Sequence, residues 1–262
     1  MDWKTANVCP IVKKGSKSSP SNYRPVSLTC IVCKVLESII KDEIFKHLLC
    51  NDMLLSSQHG FQSGRSCLSN LLEFLDDVSK LRDEGNSVDV IYLDFSKAFD
   101  KVPHDKLLIK VEALGIRGQI LAWVRDYLAD RKQRVVINGE QSEFADVTSG
   151  VPQGSVLGPV LFLIYINDLD VGLSCNIKKF ADDTKIYGQV NNEADCRKLQ
   201  DDLDRLISWS VRWGMEFNVE KCKYLRISKR GQSDIGNLYT MLDRQLTKVS
   251  KKGIWVFVLV QI

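Results

Sequence analysis

Phe180-Ala181-Asp182-Asp183, running on into Thr184-Lys185-Ile186-Tyr187, is the stretch on which the reading of this chain turns. The acidic pair interrupts two strand-like runs as the tip of a hairpin does. A third aspartate stands upstream at the end of another apolar run, Val90-Ile91-Tyr92-Leu93-Asp94-Phe95. Adjacent carboxylates at a strand tip repel each other and are costly to desolvate unless a cation neutralises them. Three brought together make an all-oxygen site suited to hard divalent cations, Mg²⁺ more naturally than zinc. The chain's other acidic pairs, Asp76-Asp77 and Asp201-Asp202, fall inside helical patterns and read as solvated faces.

Two Mg²⁺ ions so held serve nucleotidyl transfer, one activating an attacking 3′-hydroxyl and the other steadying a leaving pyrophosphate. The neighbouring segments are compatible with that chemistry. Residues 88–99 (VDVIYLDFSKAF) read as an apolar strand ending in Asp94 and an exposed turn. Residues 149–162 (SGVPQGSVLGPVLF) place glycine and proline where backbone must approach a flat ligand closely, then continue as a helix-like apolar stretch.

Period and punctuation give the rest of the outline. Residues 67–84 put Leu68, Leu71, Leu72, Leu75, Val78 and Leu81 on one helical face, closed by Gly85. Residues 104–130 read as two helices split near Gly115 to Gly118. Arg134-Val135-Val136-Ile137 followed by Asn138-Gly139 predicts a hairpin. Residues 193–213 put Leu199, Leu203, Leu206, Ile207 and Val211 on one helical face, ended by Gly214. Val26 to Ile40 reads as a buried helix face that takes in Cys30 and Cys33. Mixed strands and helices with acidic turns between them indicate an α+β fold rather than a doubly wound sheet.

Composition narrows the class. The 262 residues are 44% hydrophobic, enough to bury a core within one multi-lobed domain. Net charge is only +3, but residues 1–41 concentrate Lys4, Lys13, Lys14, Lys17, Arg24, Lys34 and Lys41 against Asp2 and Glu37. That basic lobe is suited to template and triphosphate. The eight cysteines form no disulfide or zinc pattern, and reduced thiols suit an intracellular compartment. No signal peptide precedes Trp3, and no run approaches the roughly 20 apolar residues that span a membrane. The expectation is an intracellular protein of nucleus or cytoplasm, not secreted. The short apolar tail Ile254 to Ile262 reads as a strand or an exposed end.

A set of short motifs recurs in order along nearly the whole chain, roughly positions 3 to 256. It begins with Trp3-Lys4-Thr5-Ala6-Asn7-Val8, Ile11-Val12-Lys13-Lys14-Gly15 and Asn22-Tyr23-Arg24-Pro25-Val26-Ser27-Leu28. It continues with His59-Gly60-Phe61-Gln62-Ser63-Gly64-Arg65-Ser66, the Asp94 strand, Pro152-Gln153-Gly154, Phe180-Ala181-Asp182-Asp183 and Asn218-Val219-Glu220-Lys221. In order and spacing this set resembles the reverse transcriptase domain of a non-long-terminal-repeat (LINE-type) retrotransposon.

The resemblance implies a right-hand polymerase built as a single reverse transcriptase domain. Fingers would occupy residues 1 to about 84 and 104–150, and the palm residues 85–103 and 151–228, with an antiparallel sheet carrying the carboxylates. Residues 229–262 would form a truncated primer-grip region, with Gly253-Ile254-Trp255-Val256 as its glycine-containing strand and the thumb largely absent. The implied activity is RNA-directed DNA synthesis, transferring deoxynucleotides from dNTPs to a DNA primer 3′-hydroxyl on an RNA template with two Mg²⁺ ions.

It also implies roles for particular residues. Asp94 and Asp182 are metal ligands, Asp183 is the third carboxylate, and the Phe95 carbonyl completes one metal's shell. Phe99 places a ring beneath the sugar and excludes a 2′-hydroxyl. Gln153 and Gly154 line the incoming base pair. Lys13 and Arg24 clamp the triphosphate, arginine because its fork suits phosphate oxygens. Arg65 touches template or substrate. Lys221, with Lys223 as the competing neighbour, protonates the leaving pyrophosphate. Asp100 and His104 read as a cap or hydrogen-bond pair.

The sequence departs from the family's pattern at several points. No endonuclease precedes Met1, and Asp2-Trp3-Lys4 reads as the middle of a longer reading frame. Lys251-Lys252-Gly253 is abbreviated, and Gln62 stands where arginine is commoner. The alternative to an active polymerase domain is therefore a truncated relic that folds and binds nucleic acid without useful catalysis. An RNA-directed RNA polymerase sharing the palm is opposed by Phe99 and the Ala181-Asp182-Asp183 setting.

Overall fold

Val88-Asp89-Val90-Ile91-Tyr92-Leu93 is rich in β-branched and aromatic residues, which favour a strand covered on both faces, and all six residues are buried. The computed structural model describes residues 3–13, 15–228 and 239–249. In chain order they begin with β1 (Thr5–Val12), β2 (Tyr23–Leu28), α1 (Ile31–Cys50), α2 (Cys67–Asp83) and β3 (Val88–Leu93). Next come α3 (His104–Ala113), α4 (Gly118–Leu128), β4 (Lys132–Ile137), β5 (Glu140–Gln141), β6 (Ala145–Asp146) and α5 (Gly158–Ile166). The remainder is β7 (Asn176–Phe180), β8 (Asp183–Gln189), α6 (Glu193–Trp213), β9 (Lys223–Ile227), β10 (Thr240–Met241), β11 (Arg244–Gln245) and β12 (Thr247–Lys248). The α+β class expected from the sequence is the class observed. The chain divides into two compact units, Met1–Leu54 with Lys97–Ile166, and Leu55–Ser96 with Asn167–Ile262.

The first unit carries a sheet in the order β2-β1-β4-β5, with β6 also paired to β4. β1 and β2 run antiparallel, with Val12 opposite Tyr23, whereas β1 and β4 are parallel. Asn138 and Gly139 both take positive φ, 51° and 89°, and make the expected tight turn between β4 and β5. The break between α3 and α4 falls at Gly115 and Ile116, and every residue of α5 except Pro159 is buried, as an all-apolar helix requires.

The stretch Val26 to Ile40 is not the single buried helix face that was expected. The chain changes from β2 to α1 at Thr29-Cys30, and α1 buries only Cys33, Glu37, Ile40, Ile44 and Leu48. Ile31, Val32, Val35 and Ile39 are exposed on its other side. The stretch is apolar on two sides, and composition alone does not say which side is covered.

The second unit carries the sheet β12-β9-β3-β8-β7. β7, β8, β3 and β9 pair antiparallel, and β12 joins β9 in parallel. α6 covers the span expected for it, with the Asn192 side chain accepting from Asp195 N at 3.0 Å and Gly214 at φ 72° closing it. Its buried face includes Leu199, Leu203 and Leu206, but Val211 is exposed and Ser210 is buried instead. α2 likewise forms where expected, and half of its expected face turns inward: Val78 is in the core and Leu71 and Leu81 pack against it. Phe74 and Val78 join Val88, Val90, Tyr92, Tyr187 and Leu225 in one core, while Leu68, Leu72 and Leu75 are exposed. Each fully buried aliphatic side chain of that core contributes roughly 1.5–3 kcal/mol.

The two helical acidic pairs need correction, because neither is simply solvated. Asp77 accepts from the Tyr187 hydroxyl at 2.6 Å. Asp202 is fully buried, accepting from Ser174 N, Ser174 Oγ and Cys175 N, and pairing with Arg205. The loop before β7 has backbone donors at Ser174 and Cys175, and α6 supplies their acceptor. Lys14, Lys251-Lys252-Gly253, the expected primer-grip strand 253–256 and the apolar tail lie outside the described residues. Among the described residues no helix is long and apolar enough to cross a membrane.

Candidate active site

β7 and β8 pair with Phe180 opposite Asp183, which leaves Ala181-Asp182 as the two-residue tip of the hairpin. β8 in turn pairs with β3, with Thr184 opposite Leu93. Asp183 and Asp94 are the next residues along, so they emerge from neighbouring strands at the same end of the sheet. Ala181 takes φ 54°, left-handed backbone that costs a non-glycine residue roughly 1–2 kcal/mol and persists only where the surroundings enforce it.

The electrostatics of this sheet end are those of a site lacking positive charge. Burial, followed by the charges of Asp182 and Asp94, pushes the Asp183 carboxyl up to about 7, against the opposing pull of Lys221 and Lys185. Lys185 is itself buried, its ammonium 4.4 Å from the Phe74 ring centroid, and burial pushes it down to about 8. Lys221 Nζ donates to Asp94 at 3.1 Å and 3.4 Å. Among the described residues no three His, Cys, Asp or Glu side chains close into a ready-made metal cage. An open, all-oxygen set fits Mg²⁺, which keeps several waters and takes substrate phosphate as part of its shell. The donor chemistry, carboxylate oxygens without nitrogen or sulfur, is that which hard divalent cations take.

The backbone beyond β3 is pinned by the loop that precedes β9. Asn218 N donates to Asp94 O at 2.8 Å and Ser96 N to Glu216 O at 2.7 Å. Lys221 N and Cys222 N both donate to Asn218 O, so the turn that carries Lys221 is tied to the strand end that carries Asp94. The Phe95 ring is buried and stacked on Phe217 at 4.4 Å, turned into the core.

Other expected residues fall in the first unit. Arg24 sits on β2 opposite Ile11, and Lys13 follows β1 with its N–H on Asn22 O at 2.8 Å; both side chains are exposed. Gln153 O accepts from Ser27 N at 2.7 Å, and a Cβ on Gly154 would meet Ser27 O at 2.7 Å, so only glycine fits that crossing. Gln153 Nε2 donates to Asp100 Oδ1 at 3.3 Å, and His104 Nε2 lies 2.7 Å from Gly150 O. Asp100 and His104 thus each bind the 150–153 turn, not one another. Gln153, Asp100, Ser27, Lys97 and Arg131 line a cavity of about 290 Å³. Phe99 stacks on Phe162 with centroids 4.4 Å apart.

Arg65 binds its own neighbourhood through one guanidinium nitrogen. Its guanidinium donates to Ser56 O and, at 3.4 Å, to Gln58 O, and lies 3.3 Å from His59 Nε2. Two further residues escaped the sequence reading. Glu37 is fully buried and accepts from Val156 N at 2.8 Å and Leu157 N at 2.9 Å, fixing the segment just after Gln153-Gly154. A lone acid on the inward stripe Cys33, Ile40, Ile44, Leu48 was the signal available for it. Gln58 binds Ala181, and nothing in its own sequence neighbourhood marks that role.

Comparison with known proteins gives this geometry its setting. The family model described as reverse transcriptase (RNA-dependent DNA polymerase) matches residues 11–252. The chain belongs to the reverse transcriptase family. A probable RNA-directed DNA polymerase from transposon BS of Drosophila melanogaster is 30% identical to this reverse transcriptase domain over 230 residues, 84% of this chain and 25% of the relative. The RNA-directed DNA polymerase from mobile element jockey of the same species is 28% identical over 241 residues, 87% of this chain and 26% of the relative. A Pol polyprotein from type-1 retrotransposable element R2 of Popillia japonica is 27% identical over 245 residues, 87% of this chain and 33% of the relative. The chain spans about a quarter of the length of the first two of these. Such relatives are the LINE-type elements that the motifs implied. Apo telomerase from Candida tropicalis, truncated from its C-terminal domain, shares the fold, with a TM-score of 0.62 at 15% identity over 92% of this reverse transcriptase domain and 52% of that chain. Fingers and palm in the polymerase sense are consistent with that likeness, and the family is generally metal-dependent.

Proposed function

We propose that this domain is an RNA-directed DNA polymerase that adds deoxynucleotides from dNTPs to a DNA primer 3′-hydroxyl on an RNA template. The observation that carries the reading is the convergence of Asp94, Asp182 and Asp183 at one end of a single sheet, where burial and mutual repulsion hold Asp183 far from its ordinary range. Asp94, Asp182, Asp183 and the Phe95 carbonyl would hold two Mg²⁺ ions. When bound, that pair supplies activation of the primer hydroxyl and neutralisation of the charge that develops on the leaving pyrophosphate.

The chain's own groups do the rest. Lys221, whose ammonium donates to Asp94 at 3.1 Å, would hand a proton to the leaving oxygen. Lys13 and Arg24 neutralise the triphosphate, Gln153 and Gly154 abut the base pair, and Phe99 lies under the sugar. Arg65, which also braces the backbone at Ser56 and Gln58, would touch template or substrate. In this assignment the fingers comprise residues 1 to about 84 and 104–150, the palm 85–103 and 151–228, and the primer-grip region 229–262. The eight free cysteines support an intracellular setting, in nucleus or cytoplasm. An unbroken carboxylate set favours this reading over that of a relic.

Primer extension on an RNA template tests it, and two side-chain changes test its parts. Phe99→Val is expected to relax discrimination against ribonucleotides by about 10- to 200-fold, the range for removing bulk from an apolar wall. Unchanged sugar selection would leave Phe99 as packing against Phe162. Lys13→Ala or Arg24→Ala should each raise the KM for dNTP by about tenfold or more, as loss of a charge-assisted bond implies, with kcat less affected. Equal effects on both constants would argue against a phosphate clamp.

A further inference from the structure

The residues just before the His59-to-Ser66 motif run beside β7 and grip it at consecutive positions. Lys179 N donates to Ser57 O at 2.8 Å, and His59 N donates to Lys179 O at 2.9 Å. Between them Gln58 is 3% exposed, and its side chain reaches past Lys179 to the hairpin tip. Its Oε1 accepts from Ala181 N at 2.9 Å and from Gly60 N at 2.7 Å, and its Nε2 donates to Ala181 O at 3.3 Å. One side chain therefore satisfies both backbone polar groups of the residue that stands at φ 54°. An amide suits this task, because an ionised carboxylate has no donor and a thioether has neither group to the needed strength. Gly60 completes the fit: a Cβ there would lie 2.3 Å from Ala181 N, and that backbone atom has no easy retreat.

Beneath this clamp the strand is anchored again. Lys179 is fully buried and ion-paired to Asp170, which also accepts from Ser57 Oγ, and Asn70 Nδ2 donates to Lys179 O at 3.0 Å. The chemistry described above calls on none of these groups directly, yet all of them converge on the two-residue tip that ends in Asp182.

We infer that Gln58, with Gly60 beside it, is a positioning residue for the acidic tip, holding Ala181 so that Asp182 and Asp183 present their carboxylates to divalent cations. This rests on the polymerase reading, and it goes beyond it by assigning the geometry of the acidic tip to a segment outside the three carboxylates. Partners that orient metal ligands are commonly worth about 10- to 100-fold in metal affinity.

The test uses the whole chain with Gln58→Met and, separately, Gly60→Ala. The first deletes the three hydrogen bonds, and the second pushes the tip by steric contact. Mn²⁺ binding followed by electron paramagnetic resonance, hydrogen exchange in peptides that contain Ala181, and the Mg²⁺ concentration for half-maximal extension are measured beside circular dichroism. Folded variants should bind Mn²⁺ about 10- to 100-fold more weakly, exchange faster at the tip, and need correspondingly more Mg²⁺. Unchanged Mn²⁺ affinity in either folded variant overturns the positioning role; if Gln58→Met does not fold, Gly60→Ala decides. Failure of the polymerase reading looks different. There the unaltered chain binds no Mn²⁺, or binds it equally after Asp182→Ala and Asp183→Ala.

Discussion

Asp182→Asn and Asp183→Asn should each lower primer extension by about 10³-fold or more, while neither lowers the melting temperature of the metal-free protein. The two halves of that expectation have one cause. Metal-borne stabilisation of developing charge is worth several kcal/mol, and each 1.36 kcal/mol of barrier is about a factor of ten in rate. Without metal, the same carboxylates are a burden on the fold. Asp183 is desolvated and faces Asp182 and Asp94, so replacing its charge by an amide removes a repulsion and leaves the hairpin intact. Asp94 differs, because Lys221 already partners it and an exposed pair of that kind contributes only about 0.2–1 kcal/mol. Extension rates and thermal melts of the variants check the expectation together. A melting temperature many degrees lower in either Asn variant would mean that the tip is structural and that lost activity is only lost fold.

Arg226→Met is expected to have the largest effect on stability. Asp89 on β3 stands directly opposite Arg226 on β9, and the guanidinium donates to it through Nε at 2.8 Å and Nη2 at 2.6 Å. The Tyr239 hydroxyl adds a third bond at 2.6 Å. Asp89 is fully buried, so removing the arginine leaves a charge with one neutral donor in the middle of the sheet. Breaking a buried pair from one side costs about 3–5 kcal/mol, and in a chain of this size each kcal/mol lowers the melting temperature by about 2–4 °C. Pairing Arg226→Met with Asp89→Leu should recover much of the loss, since the unpaired charge goes with it. Denaturant titration of the single and double variants measures both. A single-variant loss below about 1 kcal/mol would show that water or a shifted side chain reaches Asp89.

The sequence carried the elements and the chemistry further than it carried the faces. α6 could be read end to end because Asn192 and Gly214 mark its limits and its apolar period is unbroken. The β4–β5 turn was as plain, because Asn-Gly is the pair that tolerates two positive φ values in succession. The acidic hairpin was legible for the same kind of reason, two strand-like runs flanking two charges. α1 and α2 were not legible in the same way. Each carries apolar residues on more than one side, and which side is covered depends on residues far away in the chain. Thus Leu71, Val78 and Leu81 read as core and pack there, Leu68, Leu72 and Leu75 read as core and stand exposed, and Phe74 joins the core unannounced.

Polar residues at long range were harder still. Asp202 looked like any solvated helical acid until the backbone donors of Ser174 and Cys175 came to meet it. Gln58 and Glu37 act through bonds to residues more than one hundred positions away, and no local pattern announces such partners. Arg65 was drawn toward substrate by its place in a motif, and one of its guanidinium nitrogens also ties the backbone carbonyls of Ser56 and Gln58.

The central claim is that Asp94, Asp182 and Asp183 direct metal-dependent nucleotide addition on an RNA template. The most direct measurement is extension of a DNA primer annealed to RNA, with and without Mg²⁺, by the chain and by its Asp182→Ala, Asp183→Ala double variant, both shown to be folded by circular dichroism. The account predicts extension that requires Mg²⁺ and dNTPs and that disappears in the double variant. Extension that survives the loss of both carboxylates, or none from a folded chain that binds the primer–template, would contradict it.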